Sequence, residues 1–542
     1  MSNEGDDVKP LTQGTAGGLR TSPATSQEQE LVKELGLTSA TTLVMGSMIG
    51  TGLFLVSSDI ARLVNSPALF MGTWLIAGFM TVACALAYGE LAAMMPRAGG
   101  PYVYLREVFG PIGGFLYGWT FFLVIQTGTI AAVGVGFGKF LGFFFPSIAS
   151  DHWLLHIAKL PAIQIGPMVL GNNDVGLSTQ NLVAIAVVVS LSAVNILGVK
   201  AGALVQNVFT IAKVSAILGF VGVGLWVGRN AQALTANFAD FWHGAGLGAR
   251  HMLQVGMGSP VVAVGTITIL GVAQVGALFT ADSWTSVTLT AAEVKNPSRN
   301  LPLSLALGTG VVILLYVVCN FFYLTALPLD GDPNGTTILA RGIKYATEDR
   351  VGTAVMQQMF GSTGAALMAA ALLVSAFGCN NGLILSGARV YYAMAKDGLF
   401  FRRVAALHPR YKTPATSLLF QCVWACVLGV SGTYSQLLDY IIFAVLLFYI
   451  LTVSSLFILR WKRPDAKRPY RAIGYPVLPA IYILMAVFIE VALLRYKPQY
   501  TWPGLIIVLS GVPVYFLWSR RSRTGCPDLV NAKRMANSQV RD

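Results

Sequence analysis

The chain has 542 residues, 55% of them hydrophobic and only 11% charged, with a mean hydropathy of +0.64. Soluble domains carry about 25% charged residues, so the composition excludes a soluble enzyme or binding module and points to a membrane protein. The net charge of +13 does not indicate nucleic acid, because the Lys and Arg residues cluster beside the ends of apolar segments, where they meet anionic lipid headgroups.

Residues 1–36 are polar, with no basic region leading into an apolar core. They read as a disordered cytoplasmic tail with no cleaved signal. About 12 apolar stretches follow, at roughly 37–60, 67–95, 111–145, 181–199, 203–227, 260–292, 302–327, 359–395, 414–431, 436–460, 473–494 and 502–519. Most exceed the ~20 residues needed to cross a bilayer core.

The first stretch is interrupted by Gly46, Gly50 and Gly52. At Ile49, Gly50, Thr51 and Gly52 the backbone N–H groups can turn inward, and a half-helix starting near Phe54 would aim its positive end at the gap, which suits a carboxylate. A small-xxx-small packing face is the alternative. In the fifth stretch, Lys213 lies near the middle, about 15 Å from either end. Snorkelling from there is difficult, so its ammonium must pair with carbonyl groups or a carboxylate, or lose its proton. It is the expected coupling residue.

Two long connections, 146–180 and 229–259, precede a second interrupted stretch at Phe279, Thr280, Ala281, Asp282, Ser283 and Trp284. A charge at membrane depth costs at least ~2.5 kcal/mol, so Asp282 needs a reason. It can carry a proton, bind a substrate amine, or cap the second half-helix. Thr280 and Ala281 would offer carbonyls to a substrate ammonium. Phe279 and Trp284 are gate candidates, with core packing as the ordinary alternative.

Further along, 328–358 opens on a turn cluster and places Leu339, Ile343 and Ala346 at helical spacing, predicting a short amphipathic helix that is either an outer lid or a plain surface helix. The eighth stretch would be about 55 Å long as a helix, more than a bilayer core requires. Asn380 and Asn381 at its middle are possible site-lining amides; Gln126, Asn195 and Asn320 read as interhelical hydrogen bonds. Glu90, Arg97, Glu293, Lys295 and Arg299 fall at segment ends and are expected as solvated loop charges, with an inner-gate ion pair as the other option. Basic clusters at 402–412, 460–471 and 520–523 mark the cytoplasmic side.

The six cysteines are scattered and form no disulfide framework, and no outer-loop cysteine suggests a disulfide-linked subunit. No His/Cys/carboxylate metal set and no cofactor motif is present. Gly134-Val-Gly-Phe-Gly138-Lys139 is one residue short of a phosphate loop. Stretches 1–5 and 6–10 form two groups, each opening on a broken helix. An odd number of spans per group inverts the second copy, and paired breaks place a substrate site near the bilayer midplane.

Four ordered motifs carry a family resemblance. The run Tyr88-Gly-Glu-Leu-Ala-Ala-Met-Met-Pro-Arg-Ala-Gly-Gly-Pro-Tyr102-Val-Tyr104 resembles the second-helix signature of the amino acid–polyamine–organocation permeases, and Gly50-Thr-Gly-Leu-Phe54 their first-helix loop. Ala291 through Pro302 and Ser386 through Phe400 resemble later signatures. The nearest flavour is that of bacterial relatives of the L-type amino acid transporters.

The resemblance implies an all-α membrane protein of 12 helices in a five-plus-five inverted repeat (37–228 and 260–460), with 461–519 outside it and a basic tail at 520–542. It implies an α-amino acid held by backbone at 50–52 and 279–282. Lys213 matches a family lysine that fills the place of sodium, arguing against sodium dependence. Thr280-Ala281 departs from the usual alanine followed by an aromatic, which leaves side-chain preference open.

The expectation is therefore an amino acid transporter of a bacterial inner membrane with both termini cytoplasmic, proton-coupled or exchanging. Membrane lipids are its other partners, no nucleic acid is expected, and homo-oligomerisation is left open. The rival within transport is a cationic amino acid or polyamine, with Asp282 as counter-charge. An intramembrane enzyme lacks any nucleophile–base or metal set here. A channel, or a receptor that binds solute without flux, is more remote.

Overall fold

The computed structural model describes residues 31–159, 163–165, 168–170, 174–254, 261–431 and 434–524. The expected tails therefore lie outside the described residues, except 31–36 and 520–524. In chain order the helices are α1 (Leu37–Met48), α2 (Gly52–Val64), α3 (Pro67–Met94), α4 (Pro101–Thr120), α5 (Gln126–Leu141), α6 (Thr179–Ile196), α7 (Val199–Val227), α8 (Ala231–Phe238) and α9 (Thr266–Thr280). They continue as α10 (Ser286–Leu289), α11 (Pro297–Ala326), α12 (Ile338–Arg341), α13 (Val351–Lys396), α14 (Ala415–Ser431), α15 (Tyr434–Lys462), α16 (Val477–Tyr496) and α17 (Pro498–Thr524). A π-helical turn, Phe121–Ile125, joins α4 to α5.

Among the described residues, nine spans are long and apolar enough to cross a membrane, or ten if the bent pair α1 and α2 counts as one. Each expected apolar stretch coincides with a helix. The sixth and ninth are short, at Thr266–Thr280 and Ala415–Val430.

Polarity runs inside out along α7. Gln206, Thr210 and Lys213 are buried, whereas Leu204, Val208, Ile211 and Leu218 are exposed on the opposite face. In water that arrangement would be unfavourable; against lipid it is the stable one. α11 lies against α3 and α1, and α13 against α1, α5 and α7. α16 and α17 pack at the periphery against α3, α4, α9 and α15.

Local chemistry explains most helix ends. Pro67, Pro101 and Pro297 sit in the first turns of α3, α4 and α11, where a missing N–H is harmless. Gly110, at φ 80°, followed by Pro111, kinks α4. α13 bends likewise at Phe360 and Gly361.

Three expectations change. Paired strands stand in or beside the connections 146–180 and 229–259, β1 (Trp153–Lys159) with β4 (Asp174–Ser178), β2 (Ile163–Ile165) with β3 (Met168–Leu170), and β5 (Arg250–Gln254) with β6 (Val261–Gly265), which takes the first residues of the expected sixth stretch; α8 lies in the second connection. The helix expected to carry Leu339, Ile343 and Ala346 is a single turn, because Gly342 adopts φ 60° and leaves the helix against the Asp330 carbonyl. Ile343 and Ala346 are nonetheless buried. Residues 34–36 of the expected tail are part of the fold. Glu34 N and Leu35 N both donate to Glu293 O at 2.9 Å, Lys295 N donates to Leu35 O at 2.8 Å, and Leu35 is buried.

Candidate functional site

The first break bends the α1–α2 pair by 41°. α1 ends at Ile49, whose φ −77° and ψ 94° are extended. Ending a helix frees its last carbonyls, and here side chains from three other helices occupy them. Lys213 Nζ on α7 donates to Gly46 O at 2.6 Å, to Ile49 O at 2.7 Å and to Ser375 O at 3.4 Å. Ser375 Oγ on α13 donates to Gly50 O at 3.1 Å and Ile49 O at 3.2 Å. One turn on, Cys379 Sγ lies 3.0 Å from Ser47 O. Tyr316 on α11 donates to Met48 O at 2.9 Å. A fully buried ammonium is thus held in a carbonyl cage without a carboxylate partner among the described residues. On the other side of the gap, the leading N–H groups of α2 have no intrahelical acceptor by helix geometry.

The second break follows Thr280. Ala281 N still donates to Ala277 O at 3.0 Å and Asp282 N to Phe279 O at 3.2 Å, after which Ser283 adopts φ 69°. That left-handed conformation is rare for serine, and it ends the helix. Only one α-helical turn, α10, and a 3₁₀ turn (Ala291–Glu293) follow. Asp282 is buried, and Tyr449 of α15 donates its hydroxyl to Asp282 Oδ1 at 2.5 Å. Among the described residues no Lys or Arg pairs with it. Tyr88, Trp284 and Tyr449 form a cluster beside it, with centroids 4.8–5.7 Å apart and Tyr88 edge-on to the other two rings.

The two breaks meet. Tyr316 hydroxyl reaches Thr280 O at 3.2 Å as well as Met48 O, so one phenol touches both. A Cβ on Gly52 would come within 2.7 Å of Thr280 Oγ1, so the start of α2 is pressed against the end of α9. Ile49, Gly50, Thr51, Gly52, Thr280, Ala281 and Asp282 therefore share one region. Asp282 lines two small cavities: one with Thr81, Cys84, Leu446 and Tyr482, the other with Tyr117, Gln126, Thr129, Thr285 and Ser286.

The remaining expected site residues are placed as follows. Trp284 is enclosed in the aromatic cluster, and Phe279 is half-buried against the core. Asn381 faces α6 and α7. It donates to Gly202 O at 3.0 Å and Gln206 Oε1 at 3.1 Å, and Asn195 donates to its Oδ1 at 2.9 Å. Asn380 is buried, with no hydrogen-bond partner among the described residues. Glu90 and Glu293 are not solvated: Glu293 pairs with Arg389 at 3.0 Å, both fully buried, and Glu90 with Arg460 at 2.6 Å and Arg468 at 3.3 Å. Each anion finds a cation from a distant segment, which sequence spacing cannot reveal. Lys295, Arg299 and Arg97 are exposed, as expected.

Sequence reasoning missed Tyr316, Ser375, Cys379 and Tyr449. A phenol in an apolar helix needs a partner, and Ser375 and Cys379 share a helix face at i, i+4, so weak signals existed.

Residues 35–517 fit the family model described as amino acid permease. The chain belongs to the amino acid permease family. It is a membrane transporter rather than an enzyme. The serine/threonine exchanger SteT of Bacillus subtilis is 28% identical over 500 residues, covering 92% of this permease and 99% of the exchanger. The human large neutral amino acids transporter small subunit 2 is 28% identical over 488 residues, 90% of this chain and 80% of the relative. The human b(0,+)-type amino acid transporter 1 is 27% identical over 492 residues, 90% and 88% of the two chains.

Proposed function

We propose that this permease carries an α-amino acid by alternating access, with Ile49–Gly52 and Phe279–Asp282 (residues 49–52 and 279–282) as the binding strips. The observation that carries the proposal is Tyr316 bridging Met48 O and Thr280 O, which brings two helix breaks from far apart in sequence to one point. Leading N–H groups of α2 would receive the carboxylate, and the carbonyls at 279–281 the ammonium. Phe279 and Trp284 would act as gates.

The proposed frame is 12 spans, with helices α1–α7 and α9–α15 forming the two inverted copies, in a bacterial inner membrane with both termini cytoplasmic. The basic clusters near 402–412 and 460–471 support that sidedness. Transport is sodium-independent, since Lys213 already supplies the cation in the carbonyl cage of the first break. Coupling is to protons or to a counter-moving amino acid.

A thermal-shift series over amino acids and polyamines should identify the ligand. Proteoliposomes should then take up that labelled compound equally well in sodium and choline buffers. Uptake that requires sodium would overturn the role given to Lys213, and no uptake of any amino acid would overturn the whole proposal.

One observation favours a second reading. Asp282 is a buried carboxylate without a basic partner among the described residues, so a cationic amino acid or polyamine could supply the counter-charge. Asp282→Asn should then abolish uptake of a labelled cation and spare that of a neutral amino acid. Unchanged cation uptake removes this reading.

A further inference from the structure

α16 lies outside the two proposed repeats, yet it carries an acid in its interior. Glu490 is 7% exposed, and neither carboxyl oxygen has a hydrogen-bond partner among the described residues. It stands about 9 Å from the α16 end at Tyr496. No other carboxylate has both oxygens unpartnered among the described buried side chains. Asp282 has Tyr449, Glu293 has Arg389, and Glu90 has Arg460 and Arg468.

Among the described residues no Lys, Arg or His forms an ion pair with Glu490. α16 packs against α3, α9, α15 and α17. The titratable groups those elements carry, among described side chains, are Cys84, Tyr88 and Glu90 on α3, Tyr449, Arg460 and Lys462 on α15, and Tyr515 on α17; α9 has none before Asp282, just past its end. On α16 itself they are Tyr482, Arg495 and Tyr496. The backbone of Leu447 faces the carboxyl. An ionised carboxylate at such a position requires a cation or water, and neither can enter without opening the packing.

Helix geometry ties this acid to the second break. Pro479, Tyr482, Ala486, Ile489, Glu490 and Leu493 form the buried face of α16. Tyr482, about 12 Å along that face from Glu490, lines the cavity that holds Asp282. α16 also lies hard against α9, the half-helix that ends at the break: a Cβ on Gly271 would come 2.9 Å from the Phe488 ring. Any movement of α9 must therefore move or part from the helix bearing Glu490.

We propose that Glu490 is a proton-binding site whose occupancy couples the proton gradient to movement of α9 against α16. This rests on the transport reading given above. The ligand is a proton. It adds to a carboxylate oxygen from water at the open α9–α16 seam, is held while the seam is closed, and leaves to water when the seam opens again, with no other bond made or broken. The neutral acid keeps the seam dry; the anion draws water in and favours its parting.

The wild-type protein in proteoliposomes can be treated with dicyclohexylcarbodiimide, which reaches buried acids through lipid and adds to the protonated carboxyl. Mass spectrometry should find the adduct on the Glu490 peptide, decreasing as pH rises, and the modified protein should lose acceleration of uptake by an acid-outside gradient. The label is the amino acid selected by the thermal-shift series. Glu490→Gln should retain amino acid exchange at equal pH on both sides and lose the acceleration entirely. The proposal is overturned by absence of the adduct at every pH, by a wild type indifferent to the gradient, or by a Gln variant that still responds to it. A merely structural acid predicts that last result, since glutamine supplies a neutral polar group of the same shape. If the wild type carried no amino acid at all, the transport reading would fall, and this coupling with it, while the adduct would still report whether Glu490 is protonated.

Discussion

At the first break, five consecutive carbonyls, Gly46 to Gly50, accept from Lys213, Ser375, Cys379 and Tyr316, side chains of three other helices. At the second, Tyr316 is the one side chain among the described residues that reaches a carbonyl of 279–283, at Thr280, and an acid rather than a base is buried there. Both breaks free backbone groups at membrane depth, which must be satisfied. The carbonyls of the first are satisfied by the protein itself. The second keeps acceptors in hand, so in the proposed binding mode it is the side on which a solute makes new bonds. Preorganisation on one wall and adaptability on the other fit a site that must hold a ligand and later release it.

The largest expected effect is at Lys213. Lys213→Ala strips a buried donor from three carbonyls and leaves a cavity lined by Phe54, Ile217, Met368 and Leu372. Gly46 O loses its side-chain donor, at a cost of about 1–3 kcal/mol, while Ile49 O keeps Ser375 Oγ. Uptake should be lost and the melting temperature should fall clearly. Normal uptake by this variant would show that the first break does not need its resident cation.

Gly52→Ala comes next, since the new Cβ would press on Thr280 Oγ1 at 2.7 Å and push the two breaks apart. Uptake should drop sharply, and the double variant Gly52→Ala with Thr280→Ala should recover part of it. If the second substitution gives no rescue in proteoliposome uptake, contact between the breaks is not what Gly52 protects. Tyr316→Phe removes the one hydroxyl common to both, leaving Met48 O and Thr280 O without it, and should lower stability by about 1–3 kcal/mol. Uptake should weaken without disappearing, because the cage around Lys213 stays. Equal loss in Lys213→Ala and Tyr316→Phe would erase the distinction between a saturated and an open break.

Much of this was legible in the sequence, for a physical reason. Gly46, Gly50 and Gly52 interrupt an apolar stretch, and Lys213 and Asp282 place charges where lipid does not tolerate them, so each is conspicuous against its own neighbours. The donors were not legible. Ser375, Cys379 and Tyr316 are ordinary residues of apolar helices until a neighbouring helix presents unpaired carbonyls, and that juxtaposition is tertiary. Glu90 and Glu293 were expected in solvent because they fall at segment ends, and Arg460 and Arg389 bury them. The paired strands in or beside 146–180 and 229–259 carry no strong alternation over enough residues to be separated from loop.

Ser375→Ala is the smallest and most discriminating change. Its hydroxyl donates to Ile49 O and Gly50 O, but Ile49 O keeps Lys213 as a second donor, so only Gly50 O loses a side-chain partner. A net loss of about 1 kcal/mol is expected, visible as a small drop in melting temperature with uptake near wild type in buffers without sodium. If the first break is rigid because its carbonyls are multiply satisfied, the apparent affinity for the transported amino acid should barely change. If instead affinity falls as far as in Tyr316→Phe, the first break depends on each donor separately, and its rigidity must come from helix packing rather than from the hydrogen bonds that surround it.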